Sequence, residues 1–156
     1  MFKKILVPLD GSQRAETILP HVEDLARQFK SEVFLVQIFE PVPATLGLAE
    51  AVAPVIDQRI IDRLYEDSRS YLEKIQAHLR KSGITSHVHL MGGQVVPSIV
   101  DLAEREKVDL VAMASHGRSG LSRFYYGSVA AGVLHRIERP LLIVRSAPSR
   151  EENATK

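Results

Sequence analysis

Val108-Asp-Leu-Val-Ala-Met-Ala-Ser-His-Gly-Arg-Ser-Gly-Leu-Ser-Arg-Phe-Tyr-Tyr-Gly-Ser-Val-Ala-Ala-Gly-Val133 is the stretch whose reading decides the fold. Residues 110–114 form a short apolar run that reads as a buried strand. A polar loop over 115–122 follows, carrying His116, Gly117, Arg118 and Gly120. Gly127-Ser128 then stands at the head of an apolar-periodic segment that predicts a helix over 128–137. Strand, glycine loop and helix start are the ingredients of a phosphate cradle. Glycines let the backbone approach an anion, N–H groups point at it, and the helix dipole adds positive potential.

The flanking sequence repeats the same alternation. Residues 4–9, Lys-Ile-Leu-Val-Pro-Leu, predict a first strand apolar on both faces, as parallel strands are. Asp10-Gly11-Ser12 is a turn that can also cap a helix. Ala15, Ile18, Val22, Leu25 and Phe29 recur at helical spacing and predict an amphipathic helix to about residue 30, kinked or thinned at Pro20. Residues 33–39 predict a second strand and 40–54 an irregular loop. A long helix is expected over 55–82, with Ile60, Leu64, Tyr71, Ile75 and Leu79 on its buried face and Gly83 stopping it. A more polar strand over 85–91, near a sheet edge, precedes a helix over 96–107. After the deciding stretch, residues 141–144 predict a fifth strand, and 146–156 a polar, disordered tail. Residues 1–145 then form a single domain.

Five strands alternating with helix-length connections define an α/β fold: a parallel, doubly wound, Rossmann-like sheet with right-handed crossovers. In such sheets ligands sit at the carboxyl ends of the strands where the winding reverses. With strand order 3-2-1-4-5 that point lies between the first and fourth strands. It brings residues 10–12 beside 114–117, two loops far apart in the chain.

Composition narrows the function classes. The 156 residues are 45% hydrophobic and 25% charged, which is ordinary globular usage. A net charge of +1 gives no reason to expect nucleic acid as a partner. The absence of cysteine excludes disulfides, zinc thiolates and thiol catalysis. No apolar run reaches membrane-spanning length and no signal-peptide core is recognisable, so the default expectation is a cytoplasmic protein.

Several motifs fail on inspection. No Gly-x-Gly-x-x-Gly follows a strand, and no Gly-Lys-Ser/Thr is present, so neither a conventional dinucleotide fingerprint nor a P-loop applies. Met113-Ala-Ser115-His-Gly117 lacks the leading glycine of a nucleophile elbow. No aspartate follows Asp109 to complete a triad. His87 and His89 alternate on one strand face, but no carboxylate cluster accompanies them, so no metal site is assigned.

What remains is a bipartite cradle, and it resembles the universal stress protein family. Nucleotide-binding members carry Gly-x-x-Gly, nine residues, then Gly-Ser/Thr. Here the matching positions are Ala114-Ser-His-Gly117, nine residues from Arg118 to Tyr126, then Gly127-Ser128. Residues 3–12, Ile18-Leu-Pro-His-Val22, 108–113 and 139–144 extend the likeness over about 1–145.

The resemblance implies ATP as the ligand, with or without Mg2+. Asp10 would bond the ribose hydroxyls, and Pro8, Leu9, Ile38 and Met113 would line the adenine pocket. Ala114, Ser115, His116, Gly117, Gly127, Ser128 and Val129 would surround the phosphates, mostly through backbone groups; Arg118 and Arg123 are added beside the resemblance, as cations near enough to assist or simply to be solvated. It also implies a homodimer through strand 141–144, and a stress-response regulator or nucleotide sensor. No catalytic residue is assigned, and at most slow ATP hydrolysis is expected.

Each assignment has a plainer counterpart. Asp10 can serve as a helix cap, Gly127 as a packing requirement, and Ser128 as a cap. Ala114 departs from the family glycine, and its methyl group either crowds the nucleotide or removes a dihedral freedom that glycine had. The competing reading is a nucleotide-free dimer acting as an adaptor.

Overall fold

A computed structural model describes residues 1–40, 58–116 and 127–145. The elements run β1 (Lys4–Pro8), α1 (Gln13–Glu16), α2 (Leu19–Phe29), β2 (Glu32–Phe39), α3 (Gln58–Lys81), β3 (Ser86–Gly92), α4 (Val95–Arg105), β4 (Leu110–Ala114), α5 (Ser128–Arg136) and β5 (Leu141–Val144). All strand pairs are parallel, in the order β3-β2-β1-β4-β5. This is the doubly wound arrangement read from the sequence, with the polar strand β3 at one edge. The loop over 40–54, the helix start at 55 and the tail over 146–156 fall, save Glu40, outside the described residues.

The near-continuous apolar strands bury both faces. Ile5, Val7, Val33, Leu35 and Ala112 face one core cluster, shared with Ile18 and Val22 of the first helical segment and Leu72 and Leu79 of α3. Leu6, Phe34, Val36, Val111 and Met113 face the other, with Ile99 and Leu102 of α4 and Val133 of α5. Full burial of one such side chain contributes about 1.5–3 kcal/mol, which is why helices cover both faces of β1, β2 and β4.

Two expectations need correction. The first helix is broken rather than kinked: α1 ends at Glu16 and α2 begins at Leu19. Pro20 occupies the first turn of α2, where a missing N–H leaves no bond unmade. The chain bridges the break by i→i−3 bonds, Thr17 N–H to Arg14 O (3.3 Å) and Ile18 N–H to Ala15 O (3.5 Å). Apolar periodicity continues across because Thr17 and Ile18 keep helical dihedrals.

The second correction concerns α3. Leu64 is 54% exposed, whereas Leu72, not foreseen, is fully buried. The 24 residues of α3 extend about 36 Å against about 26 Å for the eight-residue β2. Tyr65 already stacks on Phe39, the last residue of β2, at 4.6 Å between centroids, so Leu64 overhangs the sheet. Gly83 stops the helix as expected: its φ of +74° is left-handed, and Ile84 N–H returns to Leu79 O at 3.0 Å.

The sheet is split where the winding reverses. β1 pairs with β2 as far as Pro8↔Val36, but with β4 at Ile5↔Leu110 and Leu6↔Val111. Lys4 O accepts from Asp109 N–H towards β4, and Leu9 N–H donates to Val36 O towards β2. Alternation therefore directs position 8 towards β4, where proline has no N–H to offer. Pro8 helps end the β1–β4 ladder and leaves the two carboxyl ends apart.

Candidate functional site

The gap between those ends is a crevice with a cavity of about 150 Å³. Its floor is apolar: Val36 and Ile38 of β2, Met113 of β4, and Val95 and Ile99 of α4. One rim is the β1 turn. Asp10 Oδ1 accepts from both Ser12 N–H (3.0 Å) and Ser12 O–H (2.6 Å). Ser12 Oγ in turn caps α1 by accepting from Ala15 N–H at 3.1 Å. The cap is therefore Ser12, and Asp10 braces it while facing the crevice.

The opposite rim is built on Ser115. Its N–H donates to Val144 O of β5 at 2.7 Å, and its carbonyl accepts from Gly127 N–H at 2.9 Å. A Cβ on Gly127 would lie 3.1 Å from that carbonyl oxygen, closer than ordinary contact, so only glycine sits easily there. Gly127 is also the N-cap of α5 and provides no side-chain bond to the helix. Ser128 is consequently the first helical residue, not a cap. The opening N–H groups of a helix have no intrahelical partner, and here that turn faces the cavity. Ala114, buried at the end of β4, keeps regular strand pairing with Val144, so its backbone needs no glycine dihedrals.

The crevice thus gathers Pro8, Leu9, Asp10 and Ile38 from the first half of the chain. From the second half it takes Met113, Ala114, Ser115, His116, Gly127, Ser128 and Val129. Gly117, Arg118 and Arg123 lie outside the described residues. The sequence reading missed Ala15, Val36, Val95, Ile99 and Ala130. Val36 was findable, since it shares Ile38's strand face at period two. Val95 and Ile99 carry no local signal, being ordinary apolar positions of an amphipathic helix.

His87 and His89 lie elsewhere, stacked on Phe34 at 4.8 and 5.9 Å between centroids. His87 Nε2 meets Glu32 Oε2 at 3.1 Å. No cluster of three potential ligands for a metal occurs among the described residues. No helix among them is long and apolar enough to cross a membrane.

These features define a doubly wound α/β protein of Rossmann-like type with a polar-rimmed, apolar-floored crevice at its switch point. The chain belongs to the universal stress protein family, whose model matches residues 1–145. It is 30% identical over 151 residues to universal stress protein MJ0531 of Methanocaldococcus jannaschii, covering 97% of this chain and 86% of that one. Universal stress protein MJ0577 of the same organism is 30% identical over 156 residues, with 93% and 96% covered. The solved structure of MJ0577 matches with a TM-score of 0.83 at 29% identity, over 96% and 99% of the two chains. The fold is shared by a universal stress protein solved with cAMP (TM-score 0.67, 19% identity, 94% and 98% covered). It is shared too by the Archaeoglobus fulgidus protein solved with dAMP (TM-score 0.62, 21% identity, 91% and 97% covered).

Proposed function

We propose that this chain binds ATP in the crevice between β1 and β4 and acts as a stress-response regulator or nucleotide sensor. The observation that carries the reading is the convergence of three unlike surfaces on one cavity: an apolar floor, the Asp10 carboxylate and the uncapped start of α5. An apolar space of about 150 Å³ is of the size that admits a benzene-like ring, which suits the base end. In this reading Asp10, which lines the crevice, accepts from the ribose hydroxyls. The first turn of α5 offers N–H groups and positive potential to phosphates. With Asp10 at the ribose end and no second carboxylate among the described lining residues, turnover is at most slow. The binding reading extends to a cytoplasmic homodimer joined through β5.

The test is calorimetric titration of purified protein with ATP, with and without Mg2+, after acid release and identification of any co-purified nucleotide. Saturable binding supports the reading. Clean protein without heat or thermal shift at millimolar ATP overturns it.

The tight fit of Gly127 against Ser115 favours a second reading, in which the glycine is architecture alone and the protein is a nucleotide-free adaptor dimer. Ala114→Gly separates the two. If the Ala114 methyl merely narrows an active crevice, the variant binds ATP up to about ten-fold more tightly, about 1.4 kcal/mol. Binding by neither form supports the adaptor.

A further inference from the structure

We infer that Ser115 is a positioning residue whose hydroxyl sets the imidazole tautomer through which His116 donates to an anion held at the start of α5. The inference rests on the nucleotide reading and goes beyond it. Ser115 is 3% exposed, and its Oγ lies 3.0 Å from His116 Nδ1. Its main chain is pinned on both sides, to Val144 O at 2.7 Å and by Gly127 N–H at 2.9 Å. The imidazole is thereby held against the cradle: a Cβ on Gly127 would lie 3.6 Å from His116 Cδ2. Cδ2 is bonded to Nε2, so the second ring nitrogen sits at the same rim.

A neutral imidazole has one donor nitrogen and one acceptor nitrogen. When the Ser115 O–H donates to Nδ1, the ring proton resides on Nε2, which then donates to an anionic oxygen. The reverse tautomer turns a lone pair towards the anion and repels it. A hydroxyl hydrogen rotates to suit its surroundings, so an anion in the cradle selects the first polarity. A metal-bound histidine is oriented through its second nitrogen by the same logic. Among the described residues, the other titratable side chain lining the crevice is Asp10, whose Oδ1 is engaged by Ser12 at 3.0 and 2.6 Å.

Imidazole nitrogen–proton correlation spectra of the unaltered protein with ATP are expected to show His116 protonated at Nε2 and bare at Nδ1. The opposite assignment overturns the inference. In titrations, Ser115→Ala is expected to weaken ATP binding about five-fold at pH 8, in keeping with one neutral hydrogen bond. The loss should vanish in a His116→Ala background, where no imidazole remains to be oriented. An equal loss with and without the His116 imidazole makes Ser115 merely structural and overturns the inference. Should Ser115→Ala fail to fold, the spectra of the unaltered protein decide. Absence of ATP binding by the unaltered protein overturns the nucleotide reading itself, and this inference with it.

Discussion

Asp10 shows how one side chain can serve two roles that substitutions can separate. Its Oδ1 holds the Ser12 turn, and the carboxylate faces the crevice. Asp10→Asn keeps an oxygen acceptor for Ser12 but loses the charge. We expect ATP affinity to fall about ten-fold, since a hydrogen bond to a charged group is worth about 1.5–3 kcal/mol, while the melting temperature stays within error. A fall in melting temperature without loss of affinity would make Asp10 structural. His89 provides a different residue-scale test, of stability. Its Nε2 is buried without a partner among the described residues, and burial holds its pKa below the usual 6.5. Glu106 opposes that shift, whereas Arg105 and His87 add to it. The unfolded chain therefore takes up this proton at a higher pH than the folded one, so stability is lost as pH falls through 6.5 towards the depressed folded value. In urea titrations from pH 7.5 to 5, His89→Phe should lose less stability on acidification than the unaltered protein. Parallel profiles would show that His89 contributes nothing to acid sensitivity.

At the scale of elements, α4 and α5 meet at a contact that admits no Cβ. A methyl group on Gly132 would lie 2.8 Å from Val96 Cγ2, and a valine side chain in a helix has one strongly preferred rotamer. On helix propensity alone Gly132→Ala would stabilise α5 by about 1 kcal/mol. Overpacking costs about 1–3 kcal/mol and should win. We expect a lowered melting temperature for Gly132→Ala. A double variant with Val96→Ala should be more stable than the sum of the two single changes. Additive effects in that cycle would show that the helices separate to admit the methyl. The contact matters for the crevice because α4 supplies Val95 and Ile99 to its floor, and α5 supplies the cradle.

For the whole molecule, the exposed edges of the sheet set how it can associate. β5 pairs with β4 through Leu142 and Val144, whose neighbouring carbonyl pattern directs Pro140 O and Val144 O inward to Val111 and Ser115 N–H. Alternation turns the Ile143 N–H outward, towards whatever pairs with this edge. Ile143→Pro removes that donor at an edge position, where proline is tolerated. If the protein dimerises by strand pairing through β5, light scattering should show the variant as a monomer with its far-ultraviolet circular dichroism retained. A persistent dimer would place the interface elsewhere. What the sequence by itself determined was local and periodic. Strand runs buried on both faces, helical spacing, and a glycine-serine pair at a helix start suffice for the alternation of elements, the doubly wound class and, once the order 3-2-1-4-5 is assumed, both halves of the crevice. These features need only neighbours within a turn or a strand to be expressed. Only tertiary structure decided the rest. Leu64 overhangs the sheet because α3 is longer than the strands it covers. Val95 and Ile99 enter the crevice because α4 packs under its floor, and Ala114 proves compatible with regular strand pairing to β5. Ser115 becomes the junction of β4, β5 and α5 through bonds to residues 29 and 12 positions away. The physical reason is common to all four. Each depends on which surfaces meet across the sheet, a matter of lengths and packing distances that a local pattern of residue types does not record.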